Sequence, residues 1–85
     1  MLQMLKTDLG ITSTAYDSRL QQYLVSAEES IKTEGATSIN STDHEDQQII
    51  VMYAAWMWRR RDSMSAMPRM LRWMLNNRIM KEKMR

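Results

Sequence analysis

Residues 49–77 read IIVMYAAWMWRRRDSMSAMPRMLRWMLNN and set the character of this 85-residue chain. Ten apolar residues run from Ile49 to Trp58 and lead directly into three arginines. This run is about half the roughly 20 residues that a membrane-spanning helix needs, so it predicts a buried helix in a water-soluble protein. A helix that is apolar on every side is covered on every side. We therefore expect a central helix at about residues 43–61, covered by the second and fourth helices on one side and by a neighbouring subunit on the other.

The length and composition allow one domain, residues 1–85, with one small hydrophobic core. A core of this size supplies about 3–5 kcal/mol of net stability, so contacts with partners or with further copies would strengthen it. The absence of cysteine excludes disulfides and thiolate metal ligands, and the single histidine, His44, excludes a site built from several histidines. Only two glycines and one proline interrupt the chain. The predicted fold class is all-α, a small bundle of about four helices, and no cofactor is expected.

Apolar residues recur at helical spacing along most of the chain. A short N-terminal helix is predicted for residues 1–9, ending at Gly10, and a second helix is predicted to end near Glu34. Side chains three and four residues apart share one face of a helix, so each helix has a predicted core face. The residues predicted for the core are Leu20, Tyr23, Leu24, Tyr53, Trp56, Leu71 and Met74. The basic end, residues 80–85, is predicted to be a flexible tail.

Capping residues mark the predicted helix starts. Ser13 or Thr14 is a candidate N-cap for the second helix. Thr42 followed by Glu45 fits a capping box at the start of the third helix. That helix also has acidic residues in its first turn and arginines in its last turn, as the helix dipole favours. Pro68 suits the first position of the fourth helix, where its missing N–H has no cost.

Arg78 falls in the middle of the apolar stripe of the fourth helix. A guanidinium there needs carboxylate or carbonyl partners, because an unpaired charge is costly to bury. We predict that Arg78 pairs with an acidic residue near the start of the third helix, Asp46 first. The alternative is that the fourth helix ends just before Arg78 and that this side chain extends to solvent along its aliphatic stem.

Charge is divided unevenly along the chain. Residues 1–58 carry three Lys or Arg and eight Asp or Glu, a net charge of −5, whereas residues 59–85 carry nine and two, a net charge of +7. Such a chain has complementary surfaces for packing against copies of itself, or a basic surface for an acidic partner; the alternative is that both regions are simply solvated. The basic fourth helix also allows a second function, a small DNA-binding regulator, although a net charge of +2 is low for a dedicated DNA binder.

No motif for catalysis is visible in the sequence. Gly10 and Gly35 stand alone at predicted helix ends, so they do not form a glycine-rich phosphate loop. His44 has acidic neighbours, but on the first turn of a helix that arrangement favours capping over catalysis. A peripheral membrane module is a third alternative, which the spread of apolar residues over several helices disfavours. No secretion signal is visible at the N-terminus, so we expect a non-enzymatic protein that is made in the cytoplasm and stays soluble.

Three segments of the chain resemble a known phage family. MLKTDLGIT at residues 4–12, YAAWMWRRRD at residues 53–62 and MPRMLRWMLNNR at residues 67–78 are similar, in this order and spacing, to the gp6-type head–tail connector proteins of tailed phages and prophages. The second and third segments are more specific than the first. The resemblance extends from Leu2 to about Arg78.

The resemblance implies a structural subunit that assembles into a homo-oligomeric ring, twelve-fold in the virion, beneath the portal protein. Such a ring extends the DNA channel, where DNA passes without sequence-specific contacts, and provides the docking platform for the next neck or tail-completion protein. The implied location is the virion neck, after synthesis in the cytoplasm of the bacterial host, with no membrane partner. The residues expected to contact the portal, a neighbouring subunit or the channel DNA are Arg60, Arg61, Arg69, Arg72, Trp58 and Arg78.

Overall fold

The computed structural model describes residues 1–60 and 66–84, which form four helices. In chain order they are α1 (Leu2–Leu9), α2 (Asp17–Glu34), α3 (His44–Arg60) and α4 (Arg69–Lys83). The predicted all-α bundle of about four helices with a short first helix is confirmed. Within this described part of the chain, every helix is too short or too polar to cross a membrane.

The third helix, α3, lies at the centre and packs against the other three helices. Its buried residues are spread over about two thirds of its circumference, given 100° of rotation per residue. The prediction of cover from α2 and α4 omitted α1, which also packs on α3. The Arg59 guanidinium connects α1 to the end of α3, because it donates to the Asp8 carbonyl at 3.1 Å and lies 3.6 Å from the Asp8 carboxylate. One side of α3, which includes Gln48 and Arg59, stays exposed.

The hydrophobic core draws on all four helices and on the linker between α2 and α3, where Ala36 and Ile39 are buried. Four of the residues predicted for the core are buried, and these are Leu20, Leu24, Tyr53 and Leu71. The other three are partly buried and pack against the edge of the core, and these are Tyr23, Trp56 and Met74.

Two glycines end the first two helices. Gly10 follows α1 in the left-handed conformation, at φ 72° and ψ 25°, as the sequence predicted. Gly35 follows α2 at φ 132°, a conformation that side chains with a Cβ rarely adopt. A Cβ atom at Gly35 would also lie 3.3 Å from Cγ2 of Ile79 in α4. Gly35 therefore allows both the end of α2 and the close approach of α4.

The caps predicted for α2 and α3 are wrong. α2 begins at Asp17 with Tyr16 as its N-cap residue, while the Ser13 hydroxyl instead accepts a bond from the Ala15 N–H at 3.0 Å. α3 is capped by the Asp43 carboxylate, which accepts the Glu45 N–H at 3.0 Å. No capping box forms at Thr42, because its hydroxyl donates to the Asn40 side chain at 2.8 Å instead. The cap is one residue later than predicted, and local turn contacts take up the Thr42 side chain.

The fourth helix starts after Pro68, which is its N-cap residue, and the Pro68 carbonyl accepts the Arg72 N–H at 3.0 Å. The sequence placed this proline one position later, as the first residue inside the helix. The helix continues to Lys83, with Met84 as its C-cap residue, so residues 80–83 are helical where the sequence predicted a flexible tail. Arg85 lies outside the described residues.

Candidate assembly surface

A buried ion pair joins α4 to α3. Arg78 Nε donates to Asp46 Oδ1 at 2.8 Å, and Nη2 lies 3.3 Å from Oδ2. Only 9% of Arg78 and 2% of Asp46 are exposed. The bond to Asp46 raises the pKa of Arg78 above its ordinary value. The predicted pairing is confirmed, and the alternative of a helix that ends before Arg78 is wrong.

The α2–α3 linker is bonded to the same end of α4. Arg78 Nη2 donates to the Ser38 carbonyl at 3.2 Å, and the Asn40 N–H donates to Asp46 at 2.9 Å. Near the end of α4, Glu82 Oε1 accepts the Thr37 hydroxyl at 2.8 Å and the Ser38 N–H at 2.6 Å. Hydrogen bonding by the Ser38 side chain first, and then by Thr37, favours the carboxylate and lowers the pKa of Glu82. These bonds account for the helical conformation of residues up to Lys83, because Glu82 is tied to the linker.

A second, more exposed ion pair joins α4 to the end of α2. Arg72 Nη1 lies 3.1 Å from Glu34 Oε1, and both side chains are partly exposed. The Tyr53 phenol is close to the same carboxylate. Burial first, and then the negative charge and hydrogen bonding of Glu34, raise the pKa of Tyr53. Arg72 therefore has an intramolecular partner, which limits its availability for another protein or for a phosphate.

The tryptophans of α3 pack within the chain. Trp58 makes edge-on contacts with Tyr16 and Tyr23 at ring-centroid distances of 5.6 and 5.5 Å. Trp56 makes a similar contact with Tyr53 at 5.4 Å. The Arg60 guanidinium lies 4.5 Å from the centre of the Trp56 ring, a cation–π contact. Trp58 therefore contributes to the packing of α2 on α3, although the sequence placed it among the partner contacts.

The outer side of α4 carries large apolar residues in solvent. Met70 is 61% exposed, Trp73 63% and Met80 59%. With Asn77, which is also exposed, they follow spacings of three, four and three, so they share one face of the helix. We call these four residues the α4 stripe. Trp73 and Asn77 also line a groove of 310 Å³ between α4 and the start of α3, together with Ile49 and Met74.

The residues predicted to contact partners differ in whether they are exposed, paired or buried. Arg60 and Arg69 are exposed, and Arg72 is exposed but paired with Glu34. Arg78 is buried, so its assignment as a partner contact is corrected: it holds α4 on α3. Trp58 packs against Tyr16 and Tyr23 within the chain, which limits its availability for a partner. Arg61 lies outside the described residues.

The sequence interpretation did not assign the α4 stripe as a surface. Met70 and Trp73 lie close to buried positions on the helix, so their apolar character alone would suggest core residues. The signal that identifies the stripe is its spacing: residues 70, 73, 77 and 80 form a second periodic set beside the buried Leu71, Leu75 and Arg78. A helix with two such sets has one face for its own core and one for another molecule.

Among residues 1–60 and 66–84, no group of three or more His, Asp or Glu side chains is arranged to hold a metal ion. Arg72, Arg78 and Glu82 instead have structural partners. Their chemistry is that of ion pairs and hydrogen bonds that fix α4, and the apolar stripe is left available to a protein surface.

Comparison with known protein families gives a match over most of the chain. The sequence model described as Phage gp6-like head-tail connector protein matches residues 1–77. A search of curated proteins and a search of solved structures find no match. The matched range includes α1, α2, α3 and the part of α4 that carries Met70, Trp73 and Asn77. The match covers far more than half of the chain, and the chain therefore belongs to the family of phage gp6-like head-tail connector proteins.

Proposed function

We propose that this chain is a structural subunit of the virion neck that acts by assembly and carries out no catalysis. Copies would form a ring beneath the portal, twelve-fold in the virion, that extends the DNA channel. The ring would provide the platform on which the next neck or tail-completion protein docks. Family membership supports the connector role, and the α4 stripe is the observation that carries the proposal of assembly.

The α4 stripe supports assembly because its apolar residues have nothing to cover them within the described part of the chain. The buried face of α4 is complete, with Leu71 and Leu75 in the core and Arg78 paired to Asp46. The stripe is therefore not needed for the fold. Contiguous exposed apolar residues with basic neighbours are typical of a protein–protein contact.

Passage of DNA through the ring would use weak, sequence-independent attraction. Arg60 and Lys83 are exposed and do not belong to the α4 stripe. Such side chains interact with phosphates through a salt-dependent attraction that carries no sequence information. A few of them per subunit favour a conduit over a tight DNA complex.

The DNA-binding regulator is the weaker alternative. A recognition helix presents polar and basic side chains to the base edges. The outward face of α4 is instead occupied at its centre by Trp73, with Met70 and Met80 on either side. Two arginines of this helix, Arg72 and Arg78, are already paired with carboxylates.

Native mass spectrometry at tens of micromolar tests the proposal, with the protein alone, with the portal of the same phage, and with a short DNA duplex. We expect a closed ring of about a dozen subunits, alone or on the portal, whose mass does not change with the duplex. A dimer that binds one duplex would contradict the connector proposal and favour the regulator. A chain that stays monomeric both alone and with the portal would also contradict it.

A further inference from the structure

We propose that the α4 stripe binds a second copy of this chain, and that it packs on the outer face of α2 of that copy. The outer face of α2 is defined here by Gln22, Val25 and Glu29, which are exposed and lie at spacings of three and four. The inference rests on the proposed ring and names the two surfaces that join its subunits.

The composition of the α4 stripe suits a protein contact. Its central side chain, Trp73, is the residue type most enriched among the side chains that dominate binding energy. Met70 and Met80 flank it, and methionine adapts its shape to an irregular partner surface. The 310 Å³ groove beside Trp73, between α4 and the start of α3, offers a depression for a side chain of the partner.

The charge around the stripe selects an acidic partner surface. Arg69 and Lys81 lie beside the stripe, are exposed, and have no ion-pair partner within residues 1–60 and 66–84. A contact between two α4 stripes would bring these like charges together. A surface of opposite charge elsewhere on the chain is therefore favoured over a symmetric α4–α4 contact.

The outer face of α2 has the complementary features. Val25 is 55% exposed, and it is the one large apolar side chain of α2 within the described residues that is exposed to this extent. Lys32 on the same side is already paired with Glu28 at 4.0 Å, whereas Glu29 has no ion-pair partner among the described residues. This face therefore presents an apolar residue beside an uncompensated negative charge.

The two surfaces lie on different helices, which has a consequence for the assembly. A contact between different surfaces of identical chains leaves the pair with one free surface of each kind, one on each chain. Such a contact repeats from chain to chain, and it closes a ring where the rotation between neighbours closes; otherwise it gives an open filament. The pairing of the α4 stripe with α2 thus produces the type of interface that a ring requires, whereas an α4–α4 contact would stop at a dimer.

Disulfide cross-linking tests this pairing directly, because the chain has no cysteine of its own. Gln22→Cys and Asn77→Cys variants of the full chain are mixed in equal amounts, alone and with the portal, and oxidised. We expect the 22–77 dimer to exceed the 22–22 and 77–77 dimers at least tenfold. Thr7→Cys, on the exposed side of α1, mixed with Asn77→Cys is the control and should give only background cross-linking. Adding Trp73→Ala to the Asn77→Cys variant should reduce the 22–77 product at least tenfold.

Each other outcome overturns the inference. A dominant 77–77 product would show a symmetric α4 contact. A ring seen by native mass spectrometry without the 22–77 product would leave the proposed function standing and reject this interface. The α4 stripe would then face another protein, such as the portal, which would protect the thiol of the Asn77→Cys variant from alkylation. Failure to form any oligomer, alone or with the portal, would reject the proposed function and this inference together.

Discussion

Replacing Arg78 by methionine should destabilise the fold far more than the same change at Arg72. Both arginines lie on α4 and both pair with a carboxylate, but the Arg78–Asp46 pair is buried and the Arg72–Glu34 pair is partly exposed. Methionine preserves much of the aliphatic volume, so the comparison isolates the guanidinium. Arg72→Met is therefore a matched control for Arg78→Met.

The expected loss of unfolding free energy follows from the hydrogen bonds that Arg78→Met removes. Arg78→Met removes two bonds to Asp46, at 2.8 and 3.3 Å, and one to the Ser38 carbonyl at 3.2 Å. The Asp46 carboxylate would keep only the Asn40 N–H among its present partners. Leaving one member of a buried pair uncompensated costs about 3–5 kcal/mol. The exposed Arg72 pair contributes about 0–1 kcal/mol. A core of this size supplies about 3–5 kcal/mol of net stability, so Arg78→Met removes a large fraction of it.

Thermal and urea unfolding, followed by circular dichroism at low protein concentration, measure the two losses. At about 4–8 °C per kcal/mol, Arg78→Met should lower the Tm by roughly 12–40 °C and Arg72→Met by less than about 8 °C. Low and equal concentrations are needed because assembly raises the apparent stability.

A double-mutant cycle tests whether Asp46 and Arg78 stabilise the fold as a pair. Asp46→Leu combined with Arg78→Met replaces the pair by apolar groups, and should be no less stable than the worse single variant. If the two single losses add to within about 0.5 kcal/mol in the double variant, the residues are energetically independent and the reasoning fails. Equal losses for Arg78→Met and Arg72→Met would also refute it.

Three further predictions concern the helix ends. Gly35→Ala should cost more than about 1 kcal/mol of unfolding free energy, because φ is 132° and the new Cβ would lie 3.3 Å from Ile79; unchanged urea unfolding would contradict this. Asp43→Ala should cost about 1 kcal/mol through loss of the α3 cap, whereas Thr42→Ala should cost much less; equal losses would restore the capping box. The pKa of Glu82 is lowered in the fold, so its stabilising contribution is present above pH 4.5 and is lost as the pH falls through the lower folded value. Glu82→Gln should flatten the decline in Tm below pH 4.5, and an unaltered pH profile would count against the linker contact.

The four helices could be predicted from the sequence because apolar periodicity and glycine placement are local signals. The end of α1 at Gly10 and the end of α2 near Glu34 follow from those signals alone. The Asp46–Arg78 pair was predictable for a different reason. An arginine in an apolar stripe must find a carboxylate, and the start of α3 supplied the available ones.

Other features depended on contacts that are distant in sequence. The helical end of α4 depends on Glu82 bonding to the linker at Thr37 and Ser38, more than forty positions earlier. The burial of Lys6, through its 2.9 Å pair with Asp17, likewise requires α1 to fold against α2. Such partners are known only once the helices are placed.

The α4 stripe is the feature that was hardest to predict from the sequence. Met70 and Trp73 have the composition of core residues, and periodicity alone does not distinguish a core face from a contact face. Leu71, Leu75 and Arg78 are the residues of α4 that are buried in the structure. Met70 and Trp73, on the neighbouring face of the helix, are therefore exposed to solvent. Two residues expected to contact partners instead have contacts within the chain. Trp58 packs against two tyrosines, and Arg78 pairs with Asp46.

The most direct test of the connector role is to delete this gene in the phage or prophage that encodes it, and to examine the induced lysate by electron microscopy. We expect heads and tails to accumulate separately, and the purified wild-type chain to restore joined particles in the lysate. A variant with Trp73→Ala and Met80→Ser should restore far fewer. Joined, infectious particles in the absence of the chain would contradict the connector role.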